Sequence, residues 1–238
     1  MATTRRKRKR QRRRRNSDRT THSRLSFGSE HDPNVCRLLH FDITFEPIPD
    51  PLVEAMPPED RETFRSLETQ VLDGDCDADT VKMLEELCDR HPHVPKIQNH
   101  MMIAYQAVGR YGDSRRLIKE SYRRFPDYLF ALTSYVRLCL LEGLMEEAES
   151  ILGKKLHICL MYPERPRFHV SEFMAYTGTI VEYLFRKGQF EAAQSNFQML
   201  QQVNPDHPTT LQLERMMREI RPMALLSTLL NRLQGQRD

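Results

Sequence analysis

Cys88, His91 and His93 fall within the run Cys88-Asp-Arg-His91-Pro-His93, with Cys76 and His100 close by in sequence, and these are the side chains best suited to hold a metal. A structural zinc site takes four soft ligands in tetrahedral closure, and a single Cys-x2-His-x-His group does not supply the usual pair of knuckles. The group is therefore assigned to ordinary packing and turn positions, with no metal. Glu85-Glu86 and Glu146-Glu147 carry the groups needed for general acid–base work, but such work also needs a cleft that shifts their proton affinity. Adjacent acids on a helical pattern are instead expected on solvated faces. There is no G-x-G-x-x-G, no G-x-x-x-x-G-K-[ST], no H-E-x-x-H and no G-x-S-x-G in the chain. The sequence thus predicts no enzyme, no catalytic residue and no cofactor.

The remaining chemistry is electrostatic. Arg5, Arg6, Lys7, Arg8, Lys9, Arg10, Arg12, Arg13, Arg14 and Arg15 form an almost unbroken cationic run. Residues 1–24 hold 12 Lys/Arg against one acid, Asp18, whereas residues 25–238 hold 24 bases against 32 acids. The net charge of +3 therefore conceals a basic arm on an acidic body. Such an arm repels itself, has almost nothing to bury, and is expected to be disordered when free. It suits a polyanion bound without sequence preference and released by salt, so nucleic acid is one candidate partner. A nuclear targeting signal, an anionic membrane patch, an acidic protein partner and a plain solvated tail are the alternatives. No aromatic residue interrupts the run, so base stacking is not expected from it.

Five cysteines at irregular spacing do not read as a disulfide framework, and the basic start lacks the apolar stretch of a secretory signal. A mitochondrial transit peptide would need apolar residues interleaved among the bases, and they are missing from the arm. A reducing compartment is expected, cytoplasmic in the first place and nuclear or nucleoid-associated as the alternative. No run approaches the roughly 18 apolar residues of a spanning helix.

The elements that must carry any site are helical from residue 61 onward. Before them, Leu39, Phe41, Ile43 and Phe45 alternate with polar residues at the period of a half-buried strand. Pro47, Pro49, Pro51, Pro57 and Pro58 then predict an extended linker, so residues 25–60 are expected to form an extended, proline-rich segment. Gly109 and Gly143 stand 34 residues apart, each followed by an apolar residue (Tyr111, Met145) and a small one (Ser114, Ala148). Gly188, with Phe190, Ala193, Phe197, Leu200 and Pro205 after it, repeats the pattern 45 residues beyond Gly143. Glycine at these places lets a helix reverse, Ala148 and Ala193 allow close helix crossing, and Pro126 and Pro205 end the second helix of a unit.

These residues resemble the tetratricopeptide repeat family, whose repeat is a helix–turn–helix of this length. The similarity covers residues 61–207 as about four units, the first and weakest carried by Phe64, Leu67, Val71, Leu84, Leu87 and Pro92. It departs from the family in having no tryptophan, Ser114 in place of alanine, and no timely proline in the third unit. The resemblance implies an all-α fold, a solenoid of antiparallel helix pairs with a disordered basic N-terminal arm. The 11 extra residues before Gly188 place an insertion near 156–170, either a plain lengthening of the connection or a loop on the binding face. Residues 208–238 are expected to form two helical stretches, the second carrying Met223, Leu225, Leu226, Leu229, Leu230 and Leu233 and acting as a cap or as a dimerisation or partner helix.

The resemblance also implies a use, the holding of a protein or peptide on the concave surface of the first helices. The residues expected there are Arg65, Thr69, Asn99, His100, Ile103, Gln106, Ser134, Arg137, Leu141, Thr179, Glu182 and Arg186. The carboxylate clamp that some family members use on chaperone tails is not reproduced, since Arg65, Thr69, His100, Phe130 and Ser134 occupy its places. The strand-like segment around Phe41 and Phe45 lacks a sheet to join, and it is expected to dock on the first repeats, either within the groove or as an end cap.

Overall fold

The computed structural model describes residues 41–218, so the basic arm and the stripe from Met223 to Leu233 lie outside the described residues. The fold is mostly helical. A short strand β1 (Asp42–Thr44) is followed by α1 (Pro51–Glu54), α2 (Pro58–Asp73), α3 (Ala78–Arg90), α4 (Pro95–Ala107), α5 (Tyr111–Arg124), α6 (Leu129–Glu142) and α7 (Met145–Leu152). Then come α8 (Ile158–Met161), β2 (Arg167–His169), α9 (Val170–Arg186), α10 (Phe190–Val203) and α11 (residues 208–218).

Local chemistry accounts for the helix ends. Pro58 and Pro95 open α2 and α4 where a missing N–H costs nothing, and Glu59 and Asp60 favour the first turn of α2. Asp77 and Thr80 form a reciprocal capping box at α3. Gly109, Gly143 and Gly188 have φ of +80°, +78° and +77°, the left-handed turn that separates α4 from α5, α6 from α7 and α9 from α10.

Packing follows chain order. α2 packs on α3 and α4, α4 on α5, α5 on α6, α6 on α7 and on α9, and α9 on α10. The buried apolar residues fall into two large groups. One gathers Phe64, Leu67, Leu84, Leu87, Ile97 and Met101 from α2, α3 and α4. The other gathers residues of α6, α7, α9, α10 and α11 around Val136, Phe173, Tyr176 and Ile180. A small group of Met102, Ile118 and Leu138 lies between them. The division falls at α5, which buries only Ser114, Ile118 and Ser121.

The segment before α2 departs from the sequence expectation in two ways. First, residues 25–60 are not wholly extended: Asp50 accepts from the N–H groups of Leu52 and Val53, Pro51 sits at a tolerated first position, and α1 forms. Val53 and Met56 are buried in the N-terminal apolar group. Second, β1 finds a sheet. It pairs in parallel with β2, Asp42 opposite Arg167, Ile43 opposite Phe168 and Thr44 opposite His169, and the Asp42 N–H donates to the Pro166 carbonyl at 2.8 Å. Phe41 and Ile43 therefore enter the C-terminal apolar group, not a face of the first helix pairs, while Phe45 is exposed. β2 corrects the expectation because it supplies backbone partners that α2 and α4, with their donors already used in helices, cannot offer.

Candidate protein-binding face

Ile103, Arg137 and Glu182 each stand six residues before the glycine that ends their helix, in α4, α6 and α9. Two of these side chains meet. Arg137 Nε lies 3.5 Å from Glu182 Oε2 across the α6–α9 contact, and Arg186 Nη2 lies 3.0 Å from Glu182 Oε1. Glu182 is nearly buried between two half-exposed arginines, which compensates a carboxylate that would otherwise be costly to desolvate.

Other members of the expected set are more open. Leu141 is 68% exposed and Ile103 38% exposed. Gln106 is exposed and donates to Ser114 Oγ at 3.0 Å, and Asn99 and Ser134 are half-buried. On α2, Arg65 reaches back to Glu54 of α1 at 2.7 Å, and the exposed Thr69 donates its hydroxyl to the Arg65 carbonyl.

Besides Glu182, which is 7% exposed, two of the expected surface residues are not on the surface. Thr179 is 1% exposed and donates to the Ala175 carbonyl, because α9 is covered on this side by its neighbours. His100 is 4% exposed, its ring against Phe64 and its Nδ1 2.8 Å from the Lys96 carbonyl. Burial holds His100 below its ordinary proton affinity, outweighing the pull of Glu68, whose carboxylate is 3.4 Å from Nε2. All three leave the set of residues free to touch a partner.

The structure adds groups that residue types alone did not single out. Lys96 joins Glu68 at 2.9 Å, tying α4 to α2 beside His100. His169 caps α9, its backbone N–H donating to Glu172 Oε2 and its Nδ1 accepting from Ser171. Arg165 holds Glu172 at 2.8 Å and lies over the Phe168 ring, 4.5 Å from its centroid. An open hollow of about 330 Å³ lies between the linker at Glu46–Pro49 and the loop at Glu164–Arg167.

No family model matches the chain, no curated protein is similar to it, and no solved structure matches it.

At the cysteine and histidine positions around residue 90 the side chains make local contacts. Cys88 is half-buried, and its thiol is pushed up to about 12 first by desolvation and then by Asp89 and Glu85, far from a reactive thiolate. His91 bonds Asp60 Oδ2 at 2.6 Å, and Arg90 bonds the other oxygen at 2.8 Å. Among the described residues no group of three or more His, Cys, Asp and Glu is gathered to hold a metal ion, and no helix is long and apolar enough to cross a membrane.

Proposed function

We propose that this chain is a non-enzymatic interaction scaffold, a solenoid of tetratricopeptide type whose first helices present a shared face to a protein or peptide partner. The observation that supports the reading is the contact between Arg137 and Glu182 at one register position of adjacent first helices. Ile103 of α4 stands at the same register position, Leu141 of α6 and Arg186 of α9 share the position two residues before the glycine, and Asn99, Gln106 and Ser134 flank these rows. Such rows mix half-exposed cations, amides and open apolar side chains, the composition that extended or helical segments use as anchors and rim. On α2, Thr69 lies one residue off the row of Ile103 and Arg137 counted from Gly74, and Arg65 stands nine residues before Gly74, as Ser134 does before Gly143, already engaged by Glu54.

The test is site-specific photo-crosslinking in the full chain from positions 103 and 141, with positions 83 and 115 as controls on the second helices. A partner captured from the first pair should lose at least tenfold in affinity, once purified, to a chain carrying Leu141→Glu. Capture from the control positions alone sinks the reading.

A second reading follows from a separate observation, the 12 Lys/Arg among the first 24 residues. In it the arm holds RNA or DNA while the helical body recruits a partner. Generic RNA should then bind the intact chain with affinity that falls steeply between low and moderate salt. A chain lacking residues 1–24 should not bind, and absence of binding by the intact chain at low salt removes this reading.

A further inference from the structure

The single departure from the 34-residue period is the stretch that builds α8 and β2, and a stack of helix pairs has no need of a strand. What the stretch supplies is an edge: the Pro166 carbonyl and the backbone of Phe168, backed by the rings of Phe168 and Phe173. Onto this edge the chain lays three residues of its own. β1 is held by Phe41 and Ile43, two apolar side chains two positions apart, and by a ladder only three residues long. Beyond it the backbone of Phe45 meets His169, and residues 45–49 are exposed and broken by Pro47 and Pro49, which ends the pairing.

A three-residue strand in a two-stranded sheet has little stability of its own, so the edge and its two apolar seats do the holding. None of that holding depends on the strand being covalently part of the chain. Every contact made by Phe41, Ile43 and their backbone can be reproduced by an extended segment of another protein, which is how strand addition to a sheet edge recognises peptides.

We propose that the edge of β2, with the Phe168 and Phe173 seats beneath it, is a receptor for an extended partner peptide. The peptide carries an aromatic residue followed two positions later by a branched aliphatic one, and it adds in parallel as β1 does. Residues 41–44 of this chain are the resident occupant with which it competes. The site is distinct from the rows on α4, α6 and α9, and its failure leaves the scaffold reading standing. Specificity comes from the i, i+2 spacing, because shifting an extended peptide by one residue turns both side chains away from their seats.

The probe is a fluorescein-labelled peptide with the sequence of residues 37–46. Full chain carrying Phe41→Ala and Ile43→Ala weakens the resident strand without touching the receptor, and it should bind the probe at least tenfold more tightly than the unaltered chain. A probe with alanine at both apolar positions should not bind. Should the double variant lose its helical circular dichroism, a second route avoids substitution in the strand. A protease-recognition sequence is inserted between Glu46 and Pro47, the chain is cut, and the labelled peptide is offered in excess. Replacement of the cut fragment by the probe supports the proposal. A folded double variant that ignores the probe, a cut fragment that never exchanges, or equal binding of the alanine probe overturns it. Uptake only within assemblies of two chains also overturns it, since the occupant would then be a second copy.

Discussion

Phe41 and Phe168 meet edge to face, ring centroids 5.6 Å apart and planes at 88°, although α1 to α8 all lie between them in the chain. Phe41 also lies 6.1 Å from the ring of Phe173 in α9. Twelve residues further on, Val53 enters the N-terminal apolar group. Residues 41–56 therefore tie the two groups together, bypassing the thin contact that α5 provides between them.

Removing that tie should be costly. Phe41→Ala deletes a buried aromatic ring and is expected to lower stability by about 3–5 kcal/mol, the usual range for such a truncation. Phe45→Ala, at an exposed position of the same segment, should stay within about 0.5 kcal/mol. Urea unfolding followed by circular dichroism measures both. Equal effects would mean that Phe41 is not seated as described.

Ala193 and its neighbour Ala192 provide a matched pair on α10. Ala193 is fully buried where α10 meets α9, and Ala192 is exposed. Ala193→Leu should overpack the crossing and cost about 1–3 kcal/mol, while Ala192→Leu should be close to neutral. A stable Ala193→Leu protein would show that the helix pair is assembled in another register.

Gly178 stands in the middle of α9, where a Cβ would come within 2.6 Å of Thr209 Cγ2. Alanine would gain roughly 1 kcal/mol of helix propensity over glycine at an open site, so a loss of stability on Gly178→Ala isolates the steric contact with α11. Thr209→Ser removes the obstructing methyl. The double variant Gly178→Ala, Thr209→Ser should recover most of the loss, a coupling that a double-mutant cycle reads directly. Additive effects would place α11 elsewhere.

The sequence carried some of these relationships and was silent on others, for physical reasons. The helical period, the three reversing glycines and the small residues at 148 and 193 are local signals, repeated often enough to be read without coordinates. β2 is three residues long and its partner lies at the far end of the chain, so neither length nor alternation could announce the pairing. Gly178 reads only as a poor helix former until Thr209 is placed against it. For the proposed binding face, register assigned the helix positions, but it could not tell that α9 would be covered at Thr179 or that His100 would turn into the α2–α4 contact. Register fixes direction along one helix, and exposure depends on how closely the next one packs.

The histidines set the response to acid. His100, His157, His169 and His207 are each held below the ordinary value of 6.5, in every case chiefly by desolvation. At His100 the hydrogen bond to the Lys96 carbonyl and the charge of Glu68 pull upward, and Lys96 adds to the depression. A group with a depressed folded pKa takes up its proton more readily when unfolded, so protons favour unfolding. The stability these four contribute is fully present above about 6.5 and is lost as the pH falls through their folded values. Asp60, lowered by His91 and Arg90, adds a loss of the same sign only below its ordinary 3.8. The melting temperature should therefore fall between pH 7.5 and pH 5.5, well above the carboxylate range. His100→Gln removes one of the four titrations and should flatten that fall relative to the unaltered chain, whatever it does to absolute stability. Differential scanning fluorimetry at pH 7.5, 6.5 and 5.5 on both proteins is sufficient. A melting temperature that rises as the pH drops, or an identical slope in the His100→Gln chain, would show that His100 is not buried in neutral form between α2 and α4.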